Sequence, residues 1–441
     1  MSKKAANDKS RRSIVRARKR RRERLFMFSL CAFLALCIGA FASIALLNGR
    51  SNVRSGDVWK IENAEMEILA PEARSSGAST LENREKTAPV STAAPTAQPT
   101  LQPTLQPTPQ PTATPAPTQA PERTQTEITI TAVGDCTLGG DMNTGYYTSF
   151  KGYADRYGSD YFLANVRALF ESDDLTIVNL EGPLTTSNDK RKGRKFNFRG
   201  EPEYVDILSG SSVEIANVAN NHSLDFGESG FNETCQVLEN AGVGVSGFSR
   251  VLNLNVKGVR VCSLGFTEWA YTQEQIEKAV RNARESCDLL IVSMHWGEEG
   301  SHTPTRLQET LGHAIIDAGA DIVIGNHSHV YGTIERYNGK YIVYSLGNFC
   351  FGGNRNPAEK DCVVFRQTFV IDSQSGVQDG GIDILPARVS GSDTENDFQP
   401  YLLSGERGER LLKKIDAVSS IAGDGLVWLK GSNAARLLSA E

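Results

Sequence analysis

Between Thr87 and Thr124 the chain lacks what a packed domain needs. Eleven of the seventeen prolines lie between Pro71 and Pro121, and Gln98-Pro-Thr-Leu, Gln102-Pro-Thr-Leu, Gln106-Pro-Thr-Pro and Gln110-Pro-Thr repeat every four residues. Proline fixes φ and removes a backbone donor, while Gln, Thr and Ala offer little apolar surface, so an extended, disordered linker of polyproline type is expected. At ~3.1 Å per residue it would span on the order of 100 Å. The linker, 48–124 with its Pro/Thr/Gln-rich part from 87, divides the 441 residues into a short N-terminal part and a C-terminal part long enough for one large domain.

The N-terminal part has its own signature. Residues 1–24 hold twelve Lys and Arg against Asp8 and Glu23, a local charge of +10 in a chain whose net charge is −5. The remainder is therefore acidic, which argues against a nucleic-acid partner for the main domain. Residues 25–47, LFMFSLCAFLALCIGAFASIALL, carry no charge over 23 positions, enough for a helix to cross a hydrocarbon core of ~30 Å. With the basic flank before it, the positive-inside rule predicts a single-pass type II protein of the cell membrane. Its N-terminus would be cytoplasmic, and the linker and main domain extracellular. Ala40-Phe41-Ala42 keeps a cleaved signal peptide open, although the apolar run is longer than such peptides use.

From residue 125 the pattern becomes that of an α/β domain. Strands are expected at Glu127 to Val133, Leu175 to Val178, Ile215 to Val218, Leu289 to Met294 and Ile322 to Ile324. Helices are expected at Leu163 to Phe170, Ser229 to Ala241, Gln273 to Arg284 and Thr305 to Ala318. Alternation of this kind favours parallel pairing. Lys257-Gly258 and Asn338-Gly339 add two hairpins, so the sheet is mixed or there are two sheets.

Polar residues suited to metals follow these strands in turn. Asp135 follows the first, Asn179 and Glu181 the second, Asn220, Asn221 and His222 the third, His295 the fourth, and His327 and His329 the fifth. All six histidines lie between His222 and His329. Ligands of open α/β sheets gather at the carboxyl ends of strands, and oxygen donors mixed with imidazoles suit Mn, Fe or Zn. Any one of these residues could be a turn or a core polar group; their order along five strand ends is the stronger signal.

Six segments carry a resemblance: Gly134-Asp135-Cys136-Thr137-Leu138-Gly139-Gly140, Asn179-Leu180-Glu181-Gly182-Pro183-Leu184, Ala219 to Gly227, His295-Trp296-Gly297-Glu298-Glu299, Gly325-Asn326-His327-Ser328-His329-Val330 and Tyr344-Ser345-Leu346-Gly347-Asn348-Phe349. In this order they resemble the CapA capsule-synthesis (poly-γ-glutamate biosynthesis) family over residues 125–415, leaving 416–441 as a tail. That family is similar to calcineurin-like metallophosphoesterases, which implies a four-layer α/β/β/α sandwich with a dinuclear divalent metal site. The resemblance implies Asp135 and His329 on one metal, Glu181 as the bridging carboxylate, and Asn221, His295 and His327 on the other. His222 would be the catalytic, non-ligand histidine that stabilises charge or protonates a leaving oxygen. Asn179, Asn348 and the basic residues Lys190, Arg191 and Lys192 would meet substrate. Two departures stand out: Thr137 occupies a position where the superfamily has histidine, and Glu181 replaces a shorter aspartate.

With the run 25–47 as an anchor, the resemblance implies a membrane-anchored protein of capsule or poly-γ-glutamate biosynthesis. It would be either a metal-dependent hydrolase or transferase acting on an anionic envelope polymer, or a noncatalytic assembly, export or anchoring factor, in each case beside other capsule synthesis subunits. Other residues say less. His302 could face the site or solvent, His313 reads as structural, and Trp296, Phe349 and Phe351 are expected to pack the site floor. Six cysteines outside the apolar run permit fifteen pairings, yet their apolar surroundings equally fit buried thiols.

Overall fold

The computed structural model describes residues 123–141 and 145–419, together with the backbone of two short strands, Val427–Trp428 and Ala435–Leu437. The basic segment, the uncharged run 25–47 and the proline-rich linker lie outside the described residues. Among those described, no helix is long and apolar enough to cross a membrane.

Two mixed sheets make the framework. The first contains β1 (Gln125–Thr137), β2 (Leu175–Leu180), β3 (Ile215–Asn217) and β4 (Gly244–Ser246), paired parallel in that order. The second contains β5 (Leu252–Val256), β6 (Val259–Thr267), β7 (Leu289–His295), β8 (Ile322–Asn326), β9 (Ile334–Tyr337) and β10 (Lys340–Val343). Its three central pairings, β6 with β7, β7 with β8 and β8 with β10, are parallel. Short β11 (Asn348–Phe351) returns to the first sheet and pairs parallel with the end of β1. The long hairpin of β12 (Asp361–Asp372) and β13 (Gly376–Arg388) extends that sheet on the edge of β1 opposite β2, the same edge that β11 joins.

Both expected hairpins form. Lys257 and Gly258 have φ of 52° and 84°, and Asn338 and Gly339 have 49° and 77°, the successive positive values that match the twist of antiparallel strands. The expected helix at Leu163 to Phe170 is shorter, with α-helix only at Arg167–Phe170. Phe162, Leu163 and Val166 are nonetheless fully buried, so the apolar spacing reflects packing of a turn. Helices Gly227–Asn240, Gln273–Arg284 and Arg306–Asp317 fall where periodicity puts them. Thr272 and Thr305 start the last two with reciprocal capping boxes to Gln275 and Gln308, each such cap contributing about 1 kcal/mol. Within 416–441, the helix Gly405–Val418 runs past the expected boundary, and the backbone of Ala435–Leu437 pairs with β13.

Three apolar clusters hold the layers together. Between the sheets, Ile128, Ile130, Leu175, Ile177 and Ile215 meet Val261, Leu289, Ile291, Ile322 and Ile324. On the outer face of the first sheet, Val178 and Leu180 pack with Phe150, Phe162, Ile207, Leu208 and Leu238. On the outer face of the second, Leu264, Leu290 and Val292 pack with Ile276, Val280, Leu311 and Ile315 from two helices. Because β2, β6 and β7 are buried on both faces, they read as apolar runs without alternation. Each fully buried Ile or Leu contributes about 1.5 to 3 kcal/mol.

Candidate metal centre

Strands of both sheets end in the same place. Asp135 lies inside β1 and not in a loop after it. The parallel register slips between Ala132 and Asp135, after which Asp135 pairs with Asn179 on one side and Asn348 on the other. Irregularities of this kind re-aim a side chain at a strand end. They also require glycine at 134, because a Cβ there would lie 1.8 Å from the Gly347 carbonyl oxygen. Glu181 follows β2, the Asn220-Asn221-His222 turn follows β3, His295 closes β7, and His327 and His329 follow β8.

The donors form two groups that share Glu181: Asp135, Glu181 and His329, and Glu181, His295 and His327, with ligand atoms within 4.8 Å of one another in each. In the first, His329 Nδ1 is 3.3 Å from Asp135 Oδ2, and its Nε2 is 3.9 Å from Glu181 Oε1. In the second, His295 Nε2 is 3.7 Å from Glu181 Oε1, 3.0 Å from His327 Nδ1 and 2.9 Å from Asn221 Oδ1. Asp135, Glu181 and His295 are wholly buried.

Electrostatics separate these groups. Burial, reinforced by Asp135, raises the Glu181 carboxyl to about 7 although His329 opposes it. Burial lowers His327 to about 4 and pushes His295 well below the usual imidazole range, with neighbouring imidazoles adding to both. For His329 burial also works downward, but the Glu181 and Asp135 carboxylates prevail and raise it to about 10. Converging neutral imidazoles beside carboxylates suit a divalent cation. Glu181 Oε1 strengthens the fit, being buried without a hydrogen-bond donor among the described residues, an arrangement that costs free energy unless something fills it.

Asn179 lies beneath this set. Its Nδ2 donates to Asp135 Oδ1 at 2.7 Å and faces His295 Nδ1 at 3.2 Å, while its Oδ1 accepts from Asn217 at 2.9 Å. The expected substrate contact is thus a buried group that orients two candidate ligands. Asn348 is similar, with Oδ1 2.8 Å from His329 Nδ1 and Nδ2 donating to the His329 carbonyl. The His327-Ser328-His329 turn has φ of 98° and 58° at its histidines, conformations that cost about 1 to 3 kcal/mol each. Ser328 pins the turn through Val330 O and Ser345 Oγ, both at 2.9 Å.

His222 stands beside the groups. Burial lowers its pKa, but Asp225, whose Oδ2 is 2.6 Å from Nδ1, and the Glu181 charge outweigh that and raise it overall. The basic loop is fastened to the same aspartate residue, since the Arg191 N–H donates to the Asp225 carbonyl at 2.8 Å. Lys190 reaches Asp141 at 4.0 Å, and Lys192 is exposed.

Aromatic side chains line the site: Phe351 is expected there from the sequence, whereas Phe198 and Trp269 are not. Phe198 lies 4.3 Å from the His222 ring, and Phe351 lies 5.2 Å from His329. Trp269, just after β6, lies 4.7 Å from His327. The signal for Trp269 was available, because it follows a strand end as the ligands do, but indole is not a metal donor. Trp296 and Phe349 are fully buried. His302 Nδ1 faces the Tyr331 carbonyl at 2.6 Å, and His313 pairs with Glu335 at 2.8 Å. All six described cysteines are buried free thiols.

The chain is therefore a two-sheet α/β protein with a cluster of candidate metal ligands where both sheets end. Residues 129–353 match the family model described as bacterial capsule synthesis protein PGA_cap, and the chain belongs to that family. It is 32% identical to the capsule biosynthesis protein CapA of Bacillus anthracis, over 60% of this chain and 69% of that one. It is 31% identical to the PGA biosynthesis protein CapA of Bacillus subtilis, over 48% of this chain and 62% of that one. A probable polyglutamine synthesis accessory protein of Mycobacterium tuberculosis is 28% identical, over 40% of this chain and 55% of that one.

Proposed function

We propose that this protein acts in capsule or poly-γ-glutamate biosynthesis as a membrane-anchored, metal-dependent hydrolase or transferase of metallophosphoesterase type, working on an anionic envelope polymer outside the cell. The observation that carries the reading is the pair of donor groups sharing the buried, unpartnered Glu181 Oε1. Asp135, Glu181 and His329 would hold one divalent ion, and Glu181, Asn221, His295 and His327 a second, with Mn, Fe and Zn all compatible with the donors. Such ions supply a water of lowered pKa and a clamp on the oxygens of a displacement.

The protein's own residues do the rest. Asp225 fixes the His222 ring through Nδ1 and favours its charged form, which leaves Nε2 to stabilise an anion or deliver a proton. Phe198, Phe351 and Trp269 narrow access for water. Lys190, Arg191 and Lys192 give an acidic domain a positive border next to His222, which attracts a polyanion. The apolar run 25–47 with its basic flank supports anchoring with the N-terminus in the cytoplasm, where other capsule synthesis subunits would be neighbours.

A second reading, a noncatalytic polymer-binding assembly or export factor, draws on Thr137, which leaves the first group with three donors. One experiment separates the two. The purified full chain is analysed for Mn, Fe and Zn, then assayed on a generic phosphodiester and on polyglutamate beside His222→Ala and His327→Ala. Turnover lost in both variants, with metal retained in His222→Ala, supports the enzyme; stoichiometric metal without turnover supports the binding factor. Protease accessibility of the main domain on intact cells tests the anchoring.

A further inference from the structure

We infer that Thr137 is a positioning residue that makes Glu181 present a single oxygen, Oε1, to both donor groups. The inference rests on the metal reading above and extends it to a residue without a ligand role. Thr137 is buried on β1, and its Oγ1 donates to Glu181 Oε2 at 3.3 Å. The other oxygen, Oε1, has no hydrogen bond among the described residues and is the atom nearest both His295 Nε2, at 3.7 Å, and His329 Nε2, at 3.9 Å. One carboxylate oxygen is thus tethered and the other is aimed.

Thr137 is held by the sheet through its backbone. Its carbonyl accepts from Gly139 N at 3.0 Å and from Gly352 N at 2.8 Å, and its backbone pairs with Phe351 in β11. Glycine at 352 permits this approach, since a Cβ there would lie 2.7 Å from the Thr137 carbonyl oxygen and 1.8 Å from that of Gly139. Glutamate has one more rotatable bond than aspartate, so a free Glu181 would rotate and offer either oxygen or both. A hydroxyl held by the sheet removes that freedom, as outer-shell hydrogen bonds do for ligating carboxylates generally. A long carboxylate and a hydroxyl donor at this distance form one device: the extra methylene gives reach, and the threonine restores orientation.

The test uses the full chain and Mn(II) as the probe. Thr137→Val keeps the shape and deletes the hydroxyl; Thr137→Ser keeps the hydroxyl. Metal-free near-ultraviolet circular dichroism verifies the fold, and Thr137→Ala replaces the valine variant if that one fails to fold. Equilibrium dialysis should show wild type and Thr137→Ser within twofold of each other, with Thr137→Val binding Mn(II) at least tenfold more weakly. The electron paramagnetic resonance signal of exchange-coupled Mn(II) should be kept by the serine variant and lost in the valine variant at matched occupancy. Equal affinity and an equal coupled signal in wild type and Thr137→Val would overturn the role of Thr137 and leave the metal reading intact. A wild-type chain that takes up no divalent ion would overturn both.

Discussion

The two ends of the sheets use charge in opposite ways. At the amino ends of β6, β7, β8 and β10 a cleft of about 670 Å³ is lined by Lys257, Arg284, Lys340, Asp288, Asp321 and Asp372 among others. Here cations meet anions directly: Arg284 and Lys340 reach Asp321 at 2.6 and 2.9 Å, and Lys257 reaches Asp174 at 2.7 Å. At the carboxyl ends, two carboxylates and three imidazoles converge with one carboxylate oxygen left bare. The amino-end cleft is roomy but electrostatically satisfied, whereas the carboxyl-end cluster is crowded and incomplete. Unmet donor capacity in a buried place, more than cavity size, distinguishes a site from a groove.

Breaking each end should therefore give different losses. Glu181→Ala removes the residue both donor groups share and should lower affinity for divalent ions at least a hundredfold, read by equilibrium dialysis. Asp321→Ala at the opposite end should leave that affinity unchanged. It removes the carboxylate partner of Arg284 and Lys340 and the acceptor of the Leu290 N–H, and should cost about 2 to 3 kcal/mol in urea unfolding, less than a wholly buried pair because both cations are partly exposed and keep backbone carbonyl acceptors. A loss of metal in Asp321→Ala would erase the contrast.

The comparison sharpens with pH. His329, raised to about 10, is protonated at pH 7 and must lose that proton to ligate. Metal affinity should then rise about tenfold per pH unit from 7 toward 9, with protons released on binding. Calorimetry in buffers of different ionisation enthalpy measures this directly. His327, lowered to about 4 by burial, acts on the metal-free fold. Between pH 6.5 and 4 the unfolded chain binds this proton and the folded chain does not, so stability falls as pH falls. The loss is on the order of 3 kcal/mol for this group. Urea midpoints of wild type and His327→Gln at pH 7 and pH 4.5 isolate it.

The smallest effect lies at the rim. Lys192→Glu should weaken polyglutamate binding several-fold at low salt and change folding stability by less than about 0.5 kcal/mol, because Lys192 is exposed. Equal weakening at high salt would argue against an electrostatic border.

Much of this was legible beforehand. The hairpin signals at Lys257-Gly258 and Asn338-Gly339, the helices expected at Gln273 to Arg284 and Thr305 to Ala318, and the apolar strands before Glu181, His295 and His327 are local properties that survive folding. The apolar period at Leu163 to Phe170 predicts a longer helix than forms, because it reports burial, and a turn can bury the same side chains as a helix. The sequence offers Asn179 as a substrate contact, because it follows a strand end with Glu181. Its orienting role depends on Asp135 and His295, which come from other strands. Phe198 and Trp269 carry no donor atoms for a metal, so motif chemistry passes over them.

The sequence by itself determined the order of donors, their residue types and their place at strand ends, because strand periodicity and turn chemistry are local. It also determined the family, through motifs that hold their order over the main domain. The family resemblance already implies Glu181 as the shared carboxylate; only the tertiary structure decided that two separate sheets bring their carboxyl ends to one point, that Asn179 orients Asp135 and His295 from beneath, and that Thr137 tethers one Glu181 oxygen. Those facts depend on packing between β1, β2, β7 and β8, whose residues lie far apart in the chain, and on a register slip that no local pattern encodes.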